Sequence, residues 1–164
     1  MRAGLLPALH EGLLFGTGSE WKMITLRPGS NPYPELARAL SEALPVPQPS
    51  DPDEWRSHIQ AMLLSGDSGL IRVVNEAGLP QGSNVLVLVD QFEELFRFRS
   101  IARSEDQDTA EKRHATYEER NTANAFVNLL LETIRRQSDS ENVSGRRRLM
   151  PEHPIFVVLT MRSE

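Results

Sequence analysis

The stretch "NVLVLVDQFEELF", Asn84 to Phe96, constrains the fold more than any other part of the chain. Val85 to Val89 is unbroken by any polar residue and rich in valine, with "PQGSN" before it and Asp90 after it. A strand wet on one face would alternate polar and apolar residues, so this run reads as a strand buried on both faces, the kind found in parallel sheets. Parallel strands require crossover connections, and those are usually helices.

The rest of the chain supplies them. "EWKMITL" predicts a strand over Trp21 to Leu26, closed by the prolines and glycine of "RPGSNPYP", with a helix over Glu35 to Leu44. After the proline-rich connection Pro45 to Pro52, Asp51 or Asp53 is placed to cap a helix carrying Trp55, Ile59, Met62 and Leu63. A further helix around Leu70 to Ala77 stops at Gly78-Leu79-Pro80. Ser100 to about Glu119 is polar, an insertion or a solvated helix start, and Asn121 to Gln137 then sets Phe126, Leu129, Leu130 and Ile134 on one helical face. "PIFVVLT", Pro154 to Thr160, is a second continuous apolar strand. Leu5, Leu6, Leu9, Leu13 and Leu14 recur at near-helical spacing at the start of the chain. Strands alternating with helices give an α/β fold with a mostly parallel sheet and right-handed crossovers.

A chain of 164 residues suits a single domain over 1–164. Its net charge of −5 disfavours a binder of nucleic acid, which needs many cations to displace counterions; "GRRRL" at Gly145 to Leu149 reads as a solvated loop. The absence of cysteine excludes disulfides, thiol nucleophiles and cysteine-type zinc sites, and fits a cytoplasmic protein. No apolar run approaches the roughly 20 residues that span a bilayer, so no membrane partner is expected.

In open α/β sheets ligands sit beyond the carboxyl ends of the strands, and two residues qualify there: Asp90 and Arg162. An aspartate at the tip of an apolar strand suits magnesium, which keeps several waters and takes one or two carboxylates beside substrate phosphates. Glu93 and Glu94 lie roughly one helical turn beyond it, where either can accept a proton from an attacking water. The plainer alternative makes Asp90 a helix cap, with the glutamates favouring the positive end of the helix. Arg162 has the planar fork that matches phosphate oxygens, or equally a salt bridge to Asp90 or Glu94. His10, His58, His114 and His153 are scattered, with no pair at a metal-binding interval. Glycosidase-type chemistry is a poor fit, because neighbouring Glu93 and Glu94 do not converge from opposite sides of a sugar bond.

Four segments together resemble the novel STAND NTPases, a group of P-loop NTPases that act in signal transduction. "RAGLLPAL" at Arg2 to Leu9 looks like the second half of the helix after the phosphate loop. "ITLRPGSNPYPELARAL" at Ile24 to Leu40 is similar to the family's second strand and following helix, "VLVLVDQFEELF" to its Walker B strand, and "PIFVVLTMRSE" to its sensor strand ending in arginine. The resemblance implies a three-layer, mostly parallel sheet of P-loop type. It also implies that Asp90 positions Mg2+ through water, that Glu93 or Glu94 takes part in activating the attacking water, and that Arg162 senses the terminal phosphate of ATP. Gln91 stands where many ATPases place a catalytic glutamate, which suits a slow switch.

The phosphate-loop string G-x-x-x-x-G-K-[ST] does not occur in the chain. The family places it just before "RAGLLPAL", so the resemblance implies a partial core domain that lacks the first strand with its phosphate loop and the last strand. Such a piece is expected to hold neither ATP nor Mg2+ alone. It is a segment of a nucleotide-driven signalling switch, which the family fuses to β-propeller or effector domains, or alternatively a non-catalytic module that pairs with full-length relatives. The resemblance also implies a sheet order with the phosphate-loop strand on one side of the sensor strand and the Walker B strand on the other, so without the first strand the edge of Pro154 to Thr160 lies open for self-association or is covered by another part of the chain.

Overall fold

The computed structural model describes residues 20–47, 51–96, 110–138 (backbone alone for 110–120 and 138) and 152–162. The amphipathic stretch Leu5 to Leu14, the first half of the insertion and "GRRRL" lie outside them.

Three parallel strands form one sheet in the order β1-β2-β3: β1 (Glu20–Leu26), β2 (Ser83–Val89) and β3 (Ile155–Leu159). Register pairs Leu26 with Val89 and Val89 with Leu159, so the three strands end level with one another. β2 is central and buried along its whole length, as its valine run requires. This is the α/β arrangement expected, with the Asp90 strand directly beside the Arg162 strand.

α1 (Pro32–Ala43) begins three residues before the position expected from periodicity. Prolines are tolerated in a first helical turn, where their missing N–H groups would have no partner, so Pro32 and Pro34 start this helix instead of delaying it. It stops at Leu44, whose φ −95° and ψ 148° are the extended conformation that the following Pro45 imposes. α2 (Pro52–Leu64) is capped by Asp51, whose carboxylate accepts the Asp53 N–H at 2.9 Å. α3 (Gly69–Glu76) ends ahead of Gly78, which takes φ +63° and terminates the helix.

α4 (Ala110–Ser138) includes the second half of the polar insertion, which is therefore a helix start. Its buried stripe is Ala123, Phe126, Leu129, Leu130 and Thr133. Ile134, expected on that face, sits at its margin and is 42% exposed. Thr133 takes the inner place because its hydroxyl donates to the Leu129 carbonyl at 2.7 Å, so the buried oxygen is satisfied within the helix.

One core joins Ile24 and Leu26, Val85, Val87 and Val89, and Ile155 to the apolar faces of all four helices. Alternate residues point to the opposite side, where Trp21 and Leu86 are buried and pack with Met23, Phe156 and Val158. Both faces of the central strand are thus out of water. Among the described residues β3 pairs with β2 alone. Val85 N–H donates to the Pro154 carbonyl and Thr160 N–H to the Val89 carbonyl, so Ile155, Val157 and Leu159 turn their backbone groups toward the other edge. There the Ile155 N–H donates to Gln137 Oε1 of α4 at 2.7 Å.

Candidate functional site at the carboxyl ends of the strands

Level strand ends bring the residues that follow each strand into one place. Arg27 leaves β1, Asp90 leaves β2, and Thr160 leaves β3. Backbone hydrogen bonds fix their spacing: Asp90 N–H donates to the Leu26 carbonyl at 2.8 Å, Thr160 N–H to the Val89 carbonyl and Phe92 N–H to the Thr160 carbonyl, both at 2.9 Å.

The two oxygens of Asp90 are held from the two flanking strands. Oδ1 accepts the Thr160 hydroxyl at 2.7 Å, and Oδ2 accepts Arg27 Nε at 3.2 Å. The carboxylate side chain is 21% exposed, so it stays within reach of solvent without lying open to it. Thr160 Oγ1 also accepts the Gln91 N–H at 3.3 Å, tying β3 to the turn that follows Asp90.

That turn is a 3-10 segment, Phe92–Phe96, and not the α-helix that the glutamate spacing suggested. Phe92 and Leu95 are buried and anchor it to the core. Gln91 makes the reversal possible with φ +59°, a left-handed conformation that costs a side-chain-bearing residue energy. Asp90 therefore precedes a strained corner and does not cap a helix. The Gln91 amide, oriented to suit its neighbours, donates to Glu94 Oε1 at 2.7 Å and accepts from Arg162 Nη2 at 2.9 Å. Arg162 thus meets Glu94 through an intervening amide. Glu93 takes a separate course: its Oε2 is buried without a hydrogen-bond partner.

Of the four residues singled out in the sequence, Asp90, Glu94 and Arg162 gather in one network and Glu93 lies beside it. The sequence reading passed over Arg27, Thr160 and the bridging role of Gln91. A usable signal exists, since Arg27, Asp90 and Thr160 are each a polar residue directly after the apolar residue that ends a strand, Leu26, Val89 and Leu159. The apolar run "PIFVVLT" carries the predicted strand through Thr160, and the prolines and glycine of "RPGSNPYP" draw Arg27 into the predicted loop.

The donors in this cluster are carboxylate, hydroxyl and amide oxygens. Among the described residues no group of three or more histidines, cysteines and acids could hold a metal by itself. Hard oxygen donors with a single central carboxylate fit Mg2+, which completes its shell with water and phosphate, and the unpartnered Glu93 oxygen is a further acceptor nearby in sequence. His58 is engaged elsewhere, 2.8 Å from Glu76 Oε1.

A parallel α/β sheet with a polar network at its carboxyl ends is in keeping with part of a P-loop-type domain. The family model for Novel STAND NTPase 1 matches residues 1–164, and the chain belongs to that family. No curated protein and no solved structure matches it. No described helix is long and apolar enough to cross a membrane.

Proposed function

We propose that this chain is part of the nucleotide-binding core of a STAND-type signalling switch, and that its Asp90 network is the metal and hydrolysis side of an ATP site. The observation that carries this reading is the placement of Asp90 at the tip of a fully buried central strand, gripped from both neighbouring strands by Arg27 and Thr160. The Thr160 hydroxyl and the backbone bonds on either side of Asp90 keep its carboxylate in place before a ligand arrives, whichever acceptor Arg27 takes.

In this reading Asp90 would hold Mg2+ through water, and the chemistry the metal would supply is neutralisation of charge on the nucleotide's phosphates. Thr160 holds the Asp90 carboxylate in orientation. Glu94, or Glu93, accepts a proton from the attacking water. Gln91 fixes the Glu94 carboxylate through its amide nitrogen. Arg162, exposed beyond β3, offers its guanidinium to the terminal phosphate, and its link through Gln91 joins phosphate occupancy to the Glu94 position. Gln91 at the place of the usual glutamate suits slow turnover, as a cytoplasmic switch needs. The nucleotide state would govern self-association with STAND relatives and the release of fused β-propeller or effector domains.

The experiment is a titration of ATP with Mg2+ into this chain and into a longer product made by joining a family-type phosphate-loop segment ahead of it. The chain of 164 residues, which contains no G-x-x-x-x-G-K-[ST] string, is expected to show little or no binding. The longer product is expected to bind ATP, to lose Mg2+-dependent binding on Asp90→Asn, and to hydrolyse more slowly on Arg162→Ala with its fold intact. Micromolar binding by the 164-residue chain, abolished by Asp90→Ala, overturns the expectation that it does not bind ATP alone; unchanged hydrolysis in Arg162→Ala overturns the sensor role.

A second reading is favoured by β3, which pairs on one side only among the described residues. The chain would then act as a non-catalytic module that pairs with full-length relatives through this edge.

A further inference from the structure

We infer that Arg27 is an internal counter-ion that makes occupancy of Asp90 by a divalent cation conditional on phosphate. This rests on the reading of Asp90 as the metal site and adds to it a residue that decides when the metal is admitted.

Arg27 is the first residue after β1, and Leu26 stands in register with Val89, the residue before Asp90. The Asp90 N–H to Leu26 carbonyl bond locks that alignment, so the ion pair spans two adjacent, hydrogen-bonded strand ends. Arg27 Nε lies 3.2 Å from Asp90 Oδ2, and the Thr160 hydroxyl takes Oδ1. Both carboxylate oxygens already have a donor. A dication approaching this carboxylate, directly or through water, meets a positive charge on the same oxygen and must displace it or bear the repulsion.

A polyphosphate changes the balance. Its oxygens give the Arg27 fork an alternative acceptor of matching geometry while they supply ligands to the metal, so cation and phosphate are favoured together and the cation alone is not. The guanidinium side chain is 58% exposed, free of the packing that would stop it leaving Asp90. The same exposure makes the effect moderate and sensitive to salt.

The test uses the complete 164-residue chain without nucleotide, with Mn2+ as the probe and low ionic strength. Affinity is read from the free Mn2+ signal by electron paramagnetic resonance, and location from paramagnetic broadening of the Asp90, Gln91 and Thr160 amide signals. The wild type is expected to bind weakly. Arg27→Gln is expected to bind about five- to tenfold more tightly, with broadening centred on those three amides. Arg27→Lys keeps the charge and stays near the wild type. Added NaCl narrows the gap between Gln and wild type, which a merely structural role for Arg27 would not produce. Arg27→Met, which retains the aliphatic stem, is a second neutral variant should the glutamine variant fold poorly. Equal Mn2+ affinity in wild type, Arg27→Gln and Arg27→Met, with broadening that Asp90→Asn removes, overturns the inference and leaves Asp90 as the metal site. Broadening that Asp90→Asn does not alter in any background overturns the metal reading itself, and the inference with it.

Discussion

Gln91 adopts φ +59° without being glycine, at the corner where the chain leaves the central strand. Glycine would hold that conformation at lower cost, by about 1 kcal/mol. What the glutamine adds is its side chain, 8% exposed, joining Glu94 to Arg162. The two contributions can be separated. Gln91→Ala removes the bridge and keeps the strain, whereas Gln91→Gly removes both, so Gln91→Gly is expected to be about 1 kcal/mol more stable than Gln91→Ala in urea unfolding. An alanine variant as stable as the glycine variant would mean the corner relaxes and carries no strain. At this scale the sequence revealed the polar residues at two strand tips but not their partners. Asp90 stands out because it ends a run of valines; nothing in the string says that its oxygens face Thr160 and Arg27, because those contacts depend on strand register. The left-handed Gln91 was equally hidden, since only glycine advertises such a backbone.

The elements themselves were legible where one physical signal dominated. A valine run bounded by polar residues gave β2, and Pro45 fixed the end of α1. Where two signals competed the reading slipped: prolines looked like a loop and proved to be the start of α1, and Ile134 looked like core where Thr133 is buried instead. The α2–α3 junction shows a constraint that periodicity cannot express. Gly69 opens α3 against the end of α2, and a Cβ there would press into the Met62 carbonyl oxygen and lie 2.7 Å from Leu63 Cα. These neighbours are backbone and cannot rotate aside. Gly69→Ala is therefore expected to destabilise the fold by about 1–3 kcal/mol, although alanine is the better helix former. Gly66, with φ +138° and open space where a Cβ would lie, is strained by substitution for a different reason, the backbone conformation alone. A Gly69→Ala protein that melts at or above the wild-type temperature would show that α3 can slide away from α2.

For the whole molecule, family membership and the parallel α/β sheet agree, yet among the described residues the sheet has unequal edges. β3 is half-buried at Phe156, Val157 and Val158 and 45% exposed at Leu159. Gln137 satisfies the Ile155 N–H, which blunts the start of that edge. The backbone of Val157 and Leu159 points the same way, and exposed Met161 extends the apolar margin beyond the strand. Strand edges of this kind recruit other strands unless charge or proline blocks them, and β3 carries neither. The chain is accordingly expected to self-associate with increasing concentration, seen as a rising mean sedimentation coefficient, with slowed amide exchange at Val157 and Leu159 in the associated form. Leu159→Lys places a charge at the exposed end of the edge without disturbing the buried Ile155, and is expected to return the protein to monomer. The Arg27, Asp90 and Thr160 network lies just past the same strand ends, so the amide signals of those residues serve as the control for an intact site. A wild type that sediments as a monomer at every concentration, or a Leu159→Lys variant that associates as readily, would remove the edge as an interaction surface and leave the nucleotide-site reading to stand by itself.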